Sequence, residues 1–217
     1  MTPEPTRSVT SLADRANDDV GRALLTAAHR VLEEEGPFGL TVRRVAQAAG
    51  VSTMNVYSRF GGKDGLVEQL FVDGFARLGE RIKDLPRTDD PLFDMRDCRA
   101  EYRRFALENP TYYAVMFDSV VPGWHPSPAA EAVAMAALAS LASQVQRAID
   151  AGQLQATDAH SVAISLWATS HGLITLEMKT VHEERFDWPA VYDETLERLL
   201  TGFRTAPAAG DYGRLGE

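Results

Sequence analysis

Apolar residues recur along this chain at the three- and four-residue intervals of helices, and no stretch alternates apolar with polar as a half-buried strand would. Val20, Leu24, Leu25, Ala28, Val31 and Leu32 predict a first helix over Asp18–Glu35, with Asp18 or Asp19 as its cap and Gly36-Pro37 as its stop. Val42, Val45, Ala46 and Ala49 predict a short second helix, with Thr41 placed to cap it. Gly50 supplies a sharp turn. Ser52 or Thr53 then opens a third helix, pinned inward by Val56 and Phe60 and broken at Gly61-Gly62. A fourth runs from Lys63 to Lys83, with Leu66, Leu70, Phe71 and Phe75 at core spacing.

Leu85–Pro91 is a polar, proline-bounded connector. After it, helices are predicted over Pro91–Glu108, Pro110–Asp118, Pro128–Ala151, from Thr157 or Asp158 to Val181, and from Asp187 to Phe203. The expectation is an all-α chain of about nine helices. Met1–Asn17 reads as a disordered arm, residues 18–66 as a helix-turn-helix head whose fourth helix continues as a connector to residue 84, residues 85–204 as a second helical domain, and 205–217 as a loose tail.

At 217 residues and 45% hydrophobic content, the chain fits one or two domains with a sizeable core. No apolar stretch is expected to approach the ~20 residues that span a bilayer, and the N-terminus lacks the apolar run of a signal peptide; the expected location is the cytoplasm. Cys98 is the only cysteine, which excludes an internal disulfide and fits a reducing compartment. A buried structural thiol is expected there in preference to a redox sensor.

Charge changes the picture. The chain carries −9 overall, yet Thr41–Lys63 holds four basic side chains (Arg43, Arg44, Arg59, Lys63) and no acidic one. An acidic protein that keeps one segment free of carboxylates is presenting it to a polyanion. A helix, a glycine-containing turn and a second helix are the layout that puts a recognition helix into the major groove of DNA. With Val56 and Phe60 turned inward, Thr53, Met54, Asn55, Tyr57, Ser58 and Arg59 face out. Asparagine can read adenine in bidentate fashion, and methionine or threonine methyls can touch thymine methyls. Thr53, Met54, Asn55 and Ser58 are therefore the candidate base readers. Thr41, Arg44, Ser52, Tyr57, Arg59 and Lys63 are the candidate phosphate contacts, which set position and not sequence.

These residues resemble the signature of the tetracycline-repressor (TetR) family of bacterial transcription regulators. The matching pieces are Thr41-Val42, Val45-Ala46, Ala49-Gly50-Val51-Ser52, Val56-Tyr57-x-x-Phe60 and Lys63-Asp64-x-Leu66, with Ala27–Phe38 before them. The resemblance implies a three-helix DNA-binding head, a connecting fourth helix, a helical ligand domain, and Tyr57 on a DNA phosphate. Gly61-Gly62 departs from the family, where a proline or a lysine or serine pair is commoner. Further along, Trp167-Ala-Thr-Ser-His171-Gly172 and Asn109-Pro110-x-Tyr112-x-x-x-Met116-Phe117 resemble the subgroup whose ligand domain carries a Trp-x-x-x-His-Gly motif.

His171 has three readings: a satisfied core histidine beside Trp167, a pocket residue that hydrogen-bonds an effector, or a metal ligand or base. His160, His171 and His182 repeat every 11 residues, without carboxylates or cysteines at ligand spacing. No metal, cofactor or catalytic residue is expected. Aromatic and methionine side chains crowd Tyr102–Trp124. Core packing accounts for part of them, and a pocket for a small apolar or amphipathic effector is built from such residues with few polar groups. Tyr102, Phe105, Tyr113, Met116, Phe117, Trp124, Trp167 and His171 are the candidate lining. The last two helices are apolar on more than one face, which calls for a partner, most economically a second copy. Family resemblance implies the same, and Leu166, Leu173, Ile174, Leu196, Leu199, Leu200 and Phe203 are the expected dimer contacts. The expected function is a repressor of a palindromic double-stranded operator, released by a small molecule. The alternative is a helical-bundle carrier or enzyme, for which the sequence offers no phosphate loop, no Gly-x-Ser-x-Gly and no Glu-x-x-His set.

Overall fold

The computed structural model describes residues 18–118, 120–155, 158–179 and 185–204. Among them lie nine helices and no strand: α1 Asp19–Gly39, α2 Val42–Ala48, α3 Thr53–Phe60, α4 Lys63–Lys83, α5 Pro91–Glu108, α6 Pro110–Phe117, α7 Pro128–Asp150, α8 Ala159–Lys179 and α9 Trp188–Arg204. The expected N-terminal arm and tail, Thr157, Val181 and His182 lie outside the described residues.

The chain divides into two compact units, residues 1–83 with 108–137 and residues 84–107 with 138–217. The connector expected at residue 85 marks the first of three passages between them. Residues 108–137 group with the first unit.

In the first unit, Asp18 caps α1 by accepting the Gly21 N–H. Gly36 breaks that helix at φ 69°, as Gly36-Pro37 predicts, and one further turn follows to Gly39. Thr41 Oγ1 accepts the Arg44 N–H at 3.2 Å and so starts α2. Leu24, Ala28, Val31, Val45, Val56, Leu66 and Leu70 form the core that unites the first four helices. Two glycines let helices approach. A Cβ on Gly65 would lie 1.7 Å from the Phe60 carbonyl oxygen, and one on Gly74 would lie 2.7 Å from Met116 Sδ. The first seats α4 on the end of α3; the second seats α6 on α4. On that α4–α6 contact the Tyr112 hydroxyl donates to Asp73, Arg77 donates to the same carboxylate at 2.8 Å, and His29 stacks on the Tyr112 ring at 4.5 Å.

In the second unit, long helices are joined by ion pairs. Arg96 grips Glu197 with two bonds of 2.7 and 2.9 Å, and Arg99 adds a third at 2.9 Å. Arg103 pairs with Glu177, and Arg147 with Asp94 at 2.9 Å. Asp94 also accepts the hydroxyl and the N–H of Thr88, which ties down the polar connector ahead of α5. Burial opposes the charge on Asp94, yet the bonds from Thr88 and Arg147 hold its carboxyl below the usual range. Cys98 is buried, with Gln144 Nε2 3.8 Å from its sulfur. Burial pushes its thiol up to about 11, so it stays protonated and unreactive, as a structural thiol should.

One sequence expectation is corrected. Among the described residues one helix, Pro128–Asp150, is 23 residues long and apolar enough to cross a membrane. Its apolar character comes largely from alanines.

Candidate nucleic-acid interface

An eight-residue helix has too few backbone bonds to persist alone, so α3 must be held by packing. Val56 and Phe60, one turn apart, are buried and hold it. Gly61 closes it in the left-handed region at φ 74°, its N–H donating to the Tyr57 carbonyl at 3.0 Å. The Tyr57 ring lies beside Gly62, its Cε1 3.7 Å from where a Cβ on that glycine would sit. The glycine pair that departs from the family pattern therefore forms a defined stop and a bed for the tyrosine.

With its inner face fixed, α3 turns Met54 (70% exposed) and Tyr57 (55% exposed) outward, along with Thr53 and Ser58. Asn55 and Arg59 are half-buried. Ser52 occupies the N-cap position, but its hydroxyl does not cap; it accepts a bond from Asn55 Nδ2 at 3.1 Å. The outward cations are not bare. Arg44 donates to Glu35 at 2.6 Å, Lys63 Nζ to the Pro37 carbonyl at 3.2 Å, and Arg59 to both oxygens of Asp18 at 2.9–3.1 Å. Asp18 is held below the usual carboxyl range, first by the Arg59 bond and then by the Gly21 N–H. No sequence signal flagged Asp18 beyond its capping role, because its partner lies 41 residues away.

The candidate ligand residues fall into two groups. In the first unit, Tyr113 and Phe117 stack at 4.9 Å, Phe117 meets Phe75 at 5.6 Å, and Trp124 meets Phe71 at 5.6 Å, with Met116 buried near Gly74. In the second, Trp167 Nε1 donates to the Tyr102 hydroxyl at 3.3 Å, the Trp167 and His171 rings lie 6.1 Å apart, and Phe105 is buried. His171 is half-buried beside its tryptophan. His160 sits exposed behind the Asp158 cap of α8. Among the described residues no His, Cys, Asp or Glu cluster has the makings of a metal site.

The expected dimer contacts differ in exposure. Leu166, Ile174, Leu196 and Leu200 are buried within a single chain, the last three at 1% exposure or less, so they are spent on the chain's own core. Leu173, Leu199 and Phe203 are half-buried. The apolar side chains that face outward on α8 are Ile164 (48%), Trp167 and Leu176 (57%), with the small Ala168 and Gly172 between them. Their helical spacing was readable, but both faces of α8 are apolar, and only the fold decides which one the chain itself covers.

Comparison with known proteins agrees with this geometry. Residues 24–70 match the model of bacterial regulatory proteins of the tetR family, and residues 95–203 match the tetracyclin repressor-like C-terminal domain. That second description names no Trp-x-x-x-His-Gly subgroup. The HTH-type transcriptional regulator Rv1816 of Mycobacterium tuberculosis H37Rv is 26% identical over 147 residues, which cover 66% of this chain and 63% of the relative. The match thus spans less than two thirds of that regulator's length. A protein of unknown function from Rhodococcus sp. RHA1 has a similar structure, with a TM-score of 0.75 at 24% identity over 87% of this chain and 97% of the other. The SmeT–triclosan complex gives a TM-score of 0.67 at 19% identity over 92% and 100%. Both share the all-α fold. Family and curated relative bear the names of regulators, not of enzymes.

Proposed function

The chain belongs to the TetR family of bacterial regulatory proteins, and from that premise we propose that it is a DNA-binding transcription repressor. It works in the cytoplasm as a homodimer on a palindromic operator and leaves the DNA when a small molecule binds. The observation that carries the reading is α3 itself. It is a short helix anchored by two buried side chains, it exposes a methionine, a tyrosine and hydroxyls, and no carboxylate stands on it or on α2. Such a surface is costly in water and suited to a groove.

Thr53, Met54, Asn55 and Ser58 read base edges. Tyr57, Thr41 and Ser52 offer hydroxyls to phosphates; Arg44 and Lys63 reach them by exchanging Glu35 and the Pro37 carbonyl for phosphate oxygens. Two copies joined through the outward stripe Ile164, Ala168, Gly172 and Leu176 would carry two recognition helices, and a palindrome read in successive major grooves calls for ~34 Å between them, one turn of the duplex. The aromatic groups around Trp167 and around Phe117 supply apolar surface with a few hydroxyl, indole and imidazole contacts, which suits a small apolar or amphipathic effector. That a protein of similar fold is described with triclosan bound supports this class. An effector that binds two dimer spacings unequally lowers DNA affinity by that difference.

Selection of bound duplexes from a random pool tests the reading, with a palindrome as the expected result. On the selected operator, Tyr57→Phe and Lys63→Ala weaken a gel-shift titration for every sequence, whereas Asn55→Ala changes which sequence is preferred. No enriched palindrome, with all three variants behaving as the parent, overturns it.

A further inference from the structure

We propose that Asp18, at the start of α1, is a positioning residue for base reading: through Arg59 it locks the Asn55 side-chain amide in the orientation that accepts adenine. The inference rests on the proposed DNA-binding role of α3.

Four side chains form one chain of hydrogen bonds. Asp18 holds the Arg59 guanidinium by Nε, at 3.1 and 3.0 Å from its two oxygens, and by Nη2 at 2.9 Å. The third nitrogen, Nη1, donates to Asn55 Oδ1 at 2.9 Å. Asn55 Nδ2 then donates to Ser52 Oγ at 3.1 Å. An arginine has only N–H groups to offer, so the amide atom facing it must be oxygen; a flipped amide would set donor against donor. The chain thus fixes which end of Asn55 is which. It also uses half of each end. Oδ1 can accept a second bond and Nδ2 carries a second hydrogen, an acceptor and a donor in the plane of the one amide. Adenine presents the matching pair, the N6 amino group and N7, in the major groove.

Arg59 is then a strut and not a phosphate ligand. Its charge is met by the Asp18 carboxylate, and its fork geometry is what carries orientation from α1 to α3; a lysine there would keep the charge and lose the fork. The carboxylate also blocks the route by which Arg59 would strengthen binding to any DNA whatever its sequence.

The test uses the full chain, its selected operator, and copies of that operator in which each adenine in turn is replaced by 7-deazaadenine, which lacks the N7 acceptor. The parent is expected to lose about tenfold in affinity at one adenine per half-site. Asp18→Ser keeps a helix cap but is too short to reach Arg59. Its penalty at that adenine should fall below twofold. Its binding to unrelated duplex should tighten, with a salt slope steeper by about 0.9 as Arg59 turns to a phosphate. Arg59→Lys should lose the penalty as well, and it serves as the deciding variant if Asp18→Ser melts early. A penalty that survives in both variants, or a parent that binds its operator with no adenine penalty, overturns this inference alone. A parent that binds no DNA overturns the proposed function and this inference with it.

Discussion

In the first unit, the helices that face outward are seven and eight residues long, and each rests on two buried side chains, Val45 and Ala46 for α2 and Val56 and Phe60 for α3. In the second, helices of 17 to 23 residues are tied by arginine–carboxylate pairs between positions 53 to 101 residues apart. The short helices leave nearly all their polar atoms near solvent and depend on a handful of apolar contacts for their shape. The long ones bury apolar faces and use charge to fix how they lie against each other. Both units pair arginines with the chain's own carboxylates: Arg44 with Glu35 and Arg59 with Asp18 in the first, Arg99 with Glu197 and Arg103 with Glu177 in the second. The difference lies in what the pairs join, the cap and end of α1 to a short helix in the first unit and one long helix to another in the second.

The strongest way to break this comparison is Phe60→Ala. Removing one of the two anchors of α3 should cost about 3–5 kcal/mol, and thermal melting should show it alongside loss of operator binding. If melting barely moves, α3 is held by something other than its apolar face.

A smaller effect is expected in the second unit from Glu197→Gln, about 2 kcal/mol, because Arg96 and Arg99 lose the ionised end of their bonds. This substitution also has a pH signature. The Arg96 bond, aided by Arg99 and opposed by burial, holds the Glu197 carboxyl down to about 2 against an ordinary 4.5. A lowered carboxyl adds stability that is complete above pH 4.5 and is lost as pH falls toward about 2. The parent's melting temperature should therefore decline through that window more steeply than the variant's. Equal slopes would mean that the network does not discriminate the charged form.

The smallest effect is Thr41→Ala, about 1 kcal/mol, the worth of the hydroxyl that accepts the Arg44 N–H. Chemical denaturation of the full chain resolves it. A loss as large as that from Phe60→Ala would put the head's stability in its caps and not in its core.

Helix by helix, the periodic positions and the caps were legible. Asp18, Thr41, Asp158 and Asp187 each accept a backbone N–H at the start of the helix they were expected to open. The inward turn of Val56 and Phe60, and with it the outward turn of Met54 and Tyr57, followed from a one-turn spacing. Partners were not legible. Glu35 for Arg44, Asp18 for Arg59 and Pro37 for Lys63 come from α1 and its cap, and nothing along the chain records which carboxylate or carbonyl the fold will bring back. The burial of Leu196 and Leu200 was not legible for a related reason: their spacing would serve a core or an interface alike.

By itself the sequence determined whatever is periodic or adjacent: nine helices among the described residues, most of their caps and breaks, a carboxylate-free stretch, and a short outward-facing helix with two anchors. These depend on backbone geometry that repeats every few residues, and a linear string records them directly. Only the tertiary structure decided which face of α8 stays outside, why Gly65 can carry no side chain, and that the Arg59 fork is spent on Asp18 and Asn55. Each of those is a meeting between residues distant in the chain or on different helices, and it exists only once packing has fixed how the helices approach.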